Sequence, residues 1–259
     1  MKPLRKIPLE MSDYEAHVDK WKDCTRCDFH KNREYSEEGK ELMSKYNLKP
    51  RKGQEEGLGR VVFPGGDNPC DILFIGEAPG SNENQKGVPF LSPGGILLKD
   101  VVRKGLGETT WPNGNPIRIG YTYLLGCIPT HSLRKTDYPF VHSKVTEYSG
   151  NQITICRPKL SEIFHIMKPK MVVRVGEWPK KSIPGETSLY PSMDSEYYHG
   201  EGLPWLNGKF LLLPEMKHPV TFKRQENVAN YSLEIQRLEI KVSDFVMDMI
   251  EAFPEGGDY

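Results

Sequence analysis

The apolar positions of this 259-residue chain fall into short solid runs, separated by stretches in which apolar residues recur at helical spacing. Asp71 to Gly76 (DILFIG) is one such run, and it predicts a buried strand. Ile117 to Leu125 predicts a second strand that ends just ahead of Cys127. Met171 to Gly176 (MVVRVG) predicts a third, and Phe210 to Pro214 (FLLLP) a fourth. Solid rather than alternating runs suit strands covered on both faces. Helical segments lie between them. Residues 11–22 form a short helix in which Ser12 has Glu15 three positions on, the spacing of a capping box. Residues 36–45 are a further helical candidate, and Pro93 opens a helix over 93–102. From Arg157 to Met167, Leu160, Ile163, Phe164 and Met167 share one helical face. A C-terminal helix over 227–252 offers Leu233, Ile235, Leu238, Ile240, Val242, Phe245, Val246 and Met249 for burial.

Strands alternating with helices predict an α/β fold with three layers, α/β/α, around a central, mostly parallel four-stranded sheet. Right-handed crossovers restrict its topology. Ligands of such sheets bind beyond the carboxyl ends of the strands. The loops after Gly76, before Cys127 and around His218 all follow strands and are expected to converge on one side. One domain is expected over 1–259. Its N-terminal segment, 1–60, carries a C-x-x-C pair, and 130–155 and 184–207 are loop-like insertions rich in Pro, Ser, Tyr and Gly.

Charge narrows the chemistry. The 35 basic and 35 acidic residues cancel, so phosphate binding by bulk charge is excluded and any nucleic-acid contact must use a local patch. Lys180-Lys181, Arg134-Lys135 and Lys217 with Lys223-Arg224 are the small candidates, against the simpler reading of solvated surface charge. Mean hydropathy is −0.57 and no run of apolar residues is long enough to span a bilayer. The charged start, MKPLRKIPLEMSDYEAH, lacks the apolar core of a secretory signal, so a cytoplasmic, intracellular setting is expected. There, five cysteines argue against a disulfide framework. Cys24 and Cys27, with the distant Cys127 and Cys156, make sense if the fold gathers them around one metal centre. Thiolates suit soft iron or zinc. Zinc sites usually take two close pairs, whereas the last two cysteines here are single and far apart, which leans towards a cluster. Cys70 is left over as a buried, idle thiol.

The ordered set of motifs resembles the iron–sulfur (family 4) uracil-DNA glycosylases of the uracil-DNA glycosylase superfamily. It runs from Cys24-Thr25-Arg26-Cys27 through Val62-Phe63-Pro64-Gly65-Gly66-Asp67-Asn68-Pro69 to Gly76-Glu77-Ala78-Pro79-Gly80. Glu83, Gly87, Pro89-Phe90, Cys127, Cys156-Arg157-Pro158 and His218-Pro219 follow. The resemblance implies a 4Fe–4S cluster on Cys24, Cys27, Cys127 and Cys156 with a structural role. It implies a monofunctional glycosylase that cleaves the N-glycosidic bond of uracil, or a related pyrimidine, flipped out of single-stranded or duplex DNA. It assigns Glu83 to orienting water or steadying the sugar cation, and His218 to the base oxygen. Phe90 would stack on the base, and Gly76, Glu77, Ala78, Pro79 and Gly80 would shape the base pocket, with Glu77 ordering the loop. A monomer is expected. Against each role stands a plainer one: an exposed loop carboxylate for Glu83, a core ring for Phe90, a structural histidine for His218.

The chain departs from the family where an asparagine commonly reads the base edge: Tyr123 stands there. An amide offers a donor and an acceptor side by side, a phenol one hydroxyl and more bulk. Losing paired contacts costs discrimination on the order of 10⁴. Tyr123 therefore reads another base, or a neighbour supplies the contact, or excision is lost. Two further readings follow: a non-catalytic nucleic-acid-binding member, or an enzyme acting on a hypermodified pyrimidine. Asn84 and Ile128-Pro129 are lesser departures. The basic and aromatic residues between Pro129 and Ile155 suit single-stranded nucleic acid or a solvent loop equally.

Overall fold

The computed structural model describes residues 12–33, 37–47, 60–129, 150–183, 197–198, 211–212, 215–217 and 228–254. At its centre, β2 (Ile72–Gly76) pairs in parallel with β3 (Ile119–Tyr123) on one side and β4 (Met171–Val175) on the other. Beyond β4 lie β6 (Leu211–Leu212) and β7 (Glu215–Met216), both parallel to β4 and in one continuing register. β2, β3, β4 and β6 fall within the four strands expected, and β7 continues the line of β6 beyond the expected end at Pro214. Two short antiparallel edges extend the sheet: β1 (Gly65–Gly66) beside β3, and β5 (Tyr197–Tyr198) beside β6. Two residues are too few to show a period, so the sequence pattern carries no sign of them.

Seven helices are described. They are α1 (Asp13–Trp21), α2 (Glu37–Lys45), α3 (Ser81–Lys86), α4 (Pro93–Leu106), α5 (Gly150–Met167), α6 (Glu177–Ser182) and α7 (Val228–Ala252). The capping box at Ser12 and Glu15 forms, and Ser92 caps α4 ahead of Pro93 at its first turn. α5 starts at Gly150 rather than Arg157, so Cys156 sits on a helix and residues 150–155 are not loop. Pro158 reads as a first-turn proline yet lies inside the helix, which is why the sequence places the start too late.

Side-chain alternation along β2 divides the interior. Leu73 and Ile75 face a core built with Leu160, Ile163, Phe164 and Met167 of α5. Ile72 and Phe74 face a core built with Leu98, Val101 and Val102 of α4 and Leu238, Val242, Phe245, Val246 and Met249 of α7. In α7, Leu233 and Ile240 are exposed, contrary to expectation. The buried stripe runs 238, 242, 245, 246, 249, and neither residue falls on that arc. Among the described residues no helix is long and apolar enough to cross a membrane. His218, Lys223, Arg224, Phe210, residues 130–149 and nearly all of 184–207 lie outside the described residues.

Candidate active site and metal centre

The strand β2 ends at Gly76, and the GEAPG turn leads directly into α3. Leu124 and Leu125 donate their N–H groups to the carbonyls of Gly76 and Glu77, so β3 continues to hold the turn. Glu83, in the first turn of α3, is 1% exposed. Its Oε2 accepts from the N–H of Gly80 at 3.1 Å. Its Oε1 accepts from the N–H groups of Leu91 at 2.9 Å and Ser92 at 2.5 Å. The buried carboxylate thus joins the GEAPG turn to the segment that carries Phe90. Asn84, also buried, donates to the Arg60 carbonyl at 2.9 Å.

Phe90 is 2% exposed and holds a backbone φ of +52°, a left-handed conformation unusual for a bulky residue. Two contacts with Tyr123 hold it there. Its N–H donates to the Tyr123 hydroxyl at 2.8 Å, and its ring stacks on the Tyr123 ring with centroids 4.7 Å apart and planes 25° apart. Gly76 is the floor of this stack. A Cβ there would stand 2.8 Å from Phe90 Cζ and 3.0 Å from two Tyr123 ring carbons, so any side chain would push the rings away. Burial holds the Tyr123 phenol well above its ordinary pKa, and the nearby Glu83 carboxylate pushes the same way. Lys99, on α4, donates to the Pro89 carbonyl at 2.8 Å and lies 5.1 Å over the Tyr121 ring. Burial lowers its pKa, while Glu83 pulls it back up. Sequence reasoning missed Lys99 and Tyr121. The available signal was a single lysine interrupting the apolar ILLKDVV.

The cysteines gather on the opposite face of the sheet. α1 delivers the C-x-x-C pair because its side chains converge on Glu162 of α5: His17 Nδ1 at 3.0 Å, Trp21 Nε1 donating at 2.6 Å, and the Lys20 ammonium. The chain then turns, with the Cys24 N–H donating to the Trp21 carbonyl, and a 3₁₀ helix (Asp28–Arg33) follows. The His30 ring donates from Nδ1 to the Cys27 carbonyl at 2.5 Å. Cys127 arrives just past β3, and Cys156 from α5. All four cysteines line one cavity, with Trp21, Arg26, His30, Val61, Gly126 and Lys159 among its other walls. None of the five cysteines is in a disulfide, and Cys70 is buried elsewhere, against Gly120. Burial pushes the Cys27 thiol up to about 11, with Cys156 and Cys24 adding to the effect, and burial raises Cys156 too. Metal binding here would have to release those protons.

Among the described residues no group of three or more His, Cys, Asp or Glu side chains is drawn together closely enough to hold a metal ion. A single zinc needs four sulfurs about 2.3 Å from one point. A four-iron cluster takes its thiolates around a rim. Four cysteines lining one cavity are a thiolate set of the kind that soft metal centres take.

The structure therefore brings Gly76, Glu77, Pro79, Gly80, Glu83, Phe90 and Tyr123 together at the carboxyl end of β2, and the four cysteines around one cavity. Ala78 packs on the cysteine side. The position of His218 lies outside the described residues.

Three Type-4 uracil-DNA glycosylases are similar to this chain. That of Sulfurisphaera tokodaii is 29% identical over 123 residues, 47% of this chain and 47% of the relative. That of Saccharolobus solfataricus is 27% identical over 116 residues, 44% and 45% of the two chains. That of Archaeoglobus fulgidus is 28% identical over 138 residues, 53% and 52%. The chain spans about half the length of the curated relatives it matches. The sequence model of the Uracil DNA glycosylase superfamily matches residues 63–235, from the β1 loop into α7. With that match laid over the parallel sheet and the GEAPG turn at its carboxyl edge, the chain belongs to the uracil DNA glycosylase superfamily.

Proposed function

We propose that this protein is a monofunctional DNA glycosylase that hydrolyses the N-glycosidic bond of uracil, or of a related modified pyrimidine, and leaves an abasic site. The observation that carries this reading is the Glu83 carboxylate, which ties the GEAPG turn to the Phe90 segment at the carboxyl end of β2. A flipped base entering there meets the GEAPG turn, with a carboxylate directly behind it. Bond cleavage builds positive charge on the sugar and negative charge on the base. Prearranged donors and a nearby carboxylate lower that barrier. Glu83 Oε1 takes two backbone bonds and Oε2 one. The Oε2 atom thus retains capacity for a water, and the positive sugar would feel the whole carboxylate. His218, by resemblance, donates to the base oxygen. DNA is the partner this chemistry requires, and a monomer suffices for it.

Cys24, Cys27, Cys127 and Cys156 would hold the 4Fe–4S cluster, supported by their common cavity. When bound, the cluster supplies a cross-link among the N-terminal segment, the β3 loop and α5. Measured iron and acid-labile sulfide, with broad visible absorption, test this directly.

A second reading has its own observation. The Tyr123 ring already covers the Phe90 face at 4.7 Å, where the resemblance puts the base. A pocket filled in this way suits a member that binds DNA without excising uracil, or one that takes a different pyrimidine. The deciding experiment offers labelled oligonucleotides, each carrying one uracil or one 5-substituted pyrimidine, to wild type, Tyr123→Asn and His218→Ala, followed by alkali. Excision by wild type that His218→Ala abolishes supports the glycosylase. Uracil excision gained only in Tyr123→Asn supports the plugged pocket. Salt-sensitive binding with no cleavage of any base by any variant overturns the enzyme reading.

A further inference from the structure

We propose that Lys159 is the cation of the metal centre, with its ammonium facing the sulfur-bound group and setting that group's reduction potential. The inference rests on the reading of the four cysteines as cluster ligands. Lys159 follows Cys156 by one helical turn on α5, so both side chains leave the same face. It is 2% exposed, and its Nζ, buried, has no hydrogen-bond partner. A buried ammonium is costly unless a negative group faces it. Its side chain lines the same cavity as all four thiols; burial lowers its pKa, while Cys156, Cys127 and Cys24 work against that. Gly126, the neighbour of Cys127, makes the room: a Cβ there would stand 2.9 Å from Lys159 Cε and Nζ.

Other assignments fit less well. Glu162, one turn further along α5, is already engaged by His17, Lys20 and Trp21. Arg26 also lines the cavity, but it is exposed and lies 5.6 Å over the Trp21 ring, where solvent screens its charge. Of the lysines and arginines that line this cavity among the described residues, Lys159 is the buried one.

A cluster held by four thiolates is anionic and gains one more negative charge when one electron enters from an electrode, with its iron–sulfur and iron–thiolate bonds intact. A buried positive charge beside it favours the reduced state, and N–H donors to sulfur act in the same direction. The test compares Lys159→Arg, Lys159→Gln and Lys159→Met with wild type, prepared without oxygen, by voltammetry together with iron content and visible spectrum. Lys159→Met should lower the reduced-to-oxidised ratio at fixed potential at least tenfold, about 59 mV for one electron. Lys159→Arg should stay within about threefold of wild type, and Lys159→Gln should fall between. If the methionine variant does not hold iron, the glutamine variant, which keeps length and a donor, carries the comparison. Full iron with an unchanged potential in the uncharged variants overturns the role of Lys159 and leaves the cluster standing. Wild type holding zinc and no iron overturns the cluster reading, and this inference with it.

Discussion

The two faces of β2 solve opposite problems with the same device, residues far apart in sequence brought to one edge of a sheet. On the Phe90 face the groups around the ring stack are tied to one another, although Trp111 Nε1 in the same core has no hydrogen-bond partner. The Glu83 carboxylate accepts three backbone N–H groups, and the Tyr123 hydroxyl accepts the Phe90 N–H. On the cysteine face the four thiols and Lys159 line one cavity, and the Lys159 ammonium lacks a hydrogen-bond partner. A self-satisfied face is built to be rigid. On the proposed reading, the thiols and the ammonium are completed by a bound group instead.

The largest expected effect lies on the cysteine face. Replacing Cys156 or Cys24 by Ala should abolish iron binding and lower unfolding stability by about 4 kcal/mol or more, read by metal content and urea unfolding. Retained iron in either variant would break the contrast between the faces. Next comes the bolt between two loops. Glu83→Ala leaves three half-buried N–H groups without their acceptor and should cost about 3 kcal/mol, with Glu83→Gln costing roughly half, both from the urea midpoint. A loss below about 0.5 kcal/mol would show the carboxylate to be free rather than structural. Tyr123→Phe keeps the ring stack and removes only the hydroxyl that accepts from Phe90. A cost of about 1–2 kcal/mol sharpens the picture of a self-satisfied face.

The smallest effect is a pH dependence at the α1–α5 contact. Burial holds His17 below its ordinary pKa of 6.5, although the Glu162 carboxylate works against that. The unfolded chain therefore binds the proton more readily. Stability should be level above the unfolded value, fall as pH drops through 6.5 towards the folded value, and level off below it. The slope should not exceed one proton, about 1.4 kcal/mol per pH unit, and His17→Gln should remove it in urea titrations from pH 8 to 5.

Much of the fold was legible because burial on both faces writes solid apolar runs, as in DILFIG and MVVRV. The cysteine quartet was legible from residue type and order. The details that give each face its character were not. Glu83 finds its partners in backbone N–H groups, which leave no mark in a sequence. The Tyr123–Phe90 pair spans 33 residues, and nothing in either residue's neighbours announces the other. A lysine in a helix reads as solvated by default, so Lys159 looked ordinary until its surroundings were known. In α7, counting apolar residues without their angle around the axis wrongly placed Leu233 and Ile240 inside.

The alternation of β2 has a practical consequence. Leu73 and Ile75 look one way, Ile72 and Phe74 the other, and one set of main-chain bonds to β3 and β4 supports both. Damage that starts beside the sulfurs therefore reaches the aromatic pair through a partition a single strand thick. If the four cysteines hold the proposed cluster, base release should therefore be assayed only on preparations whose iron content has been measured.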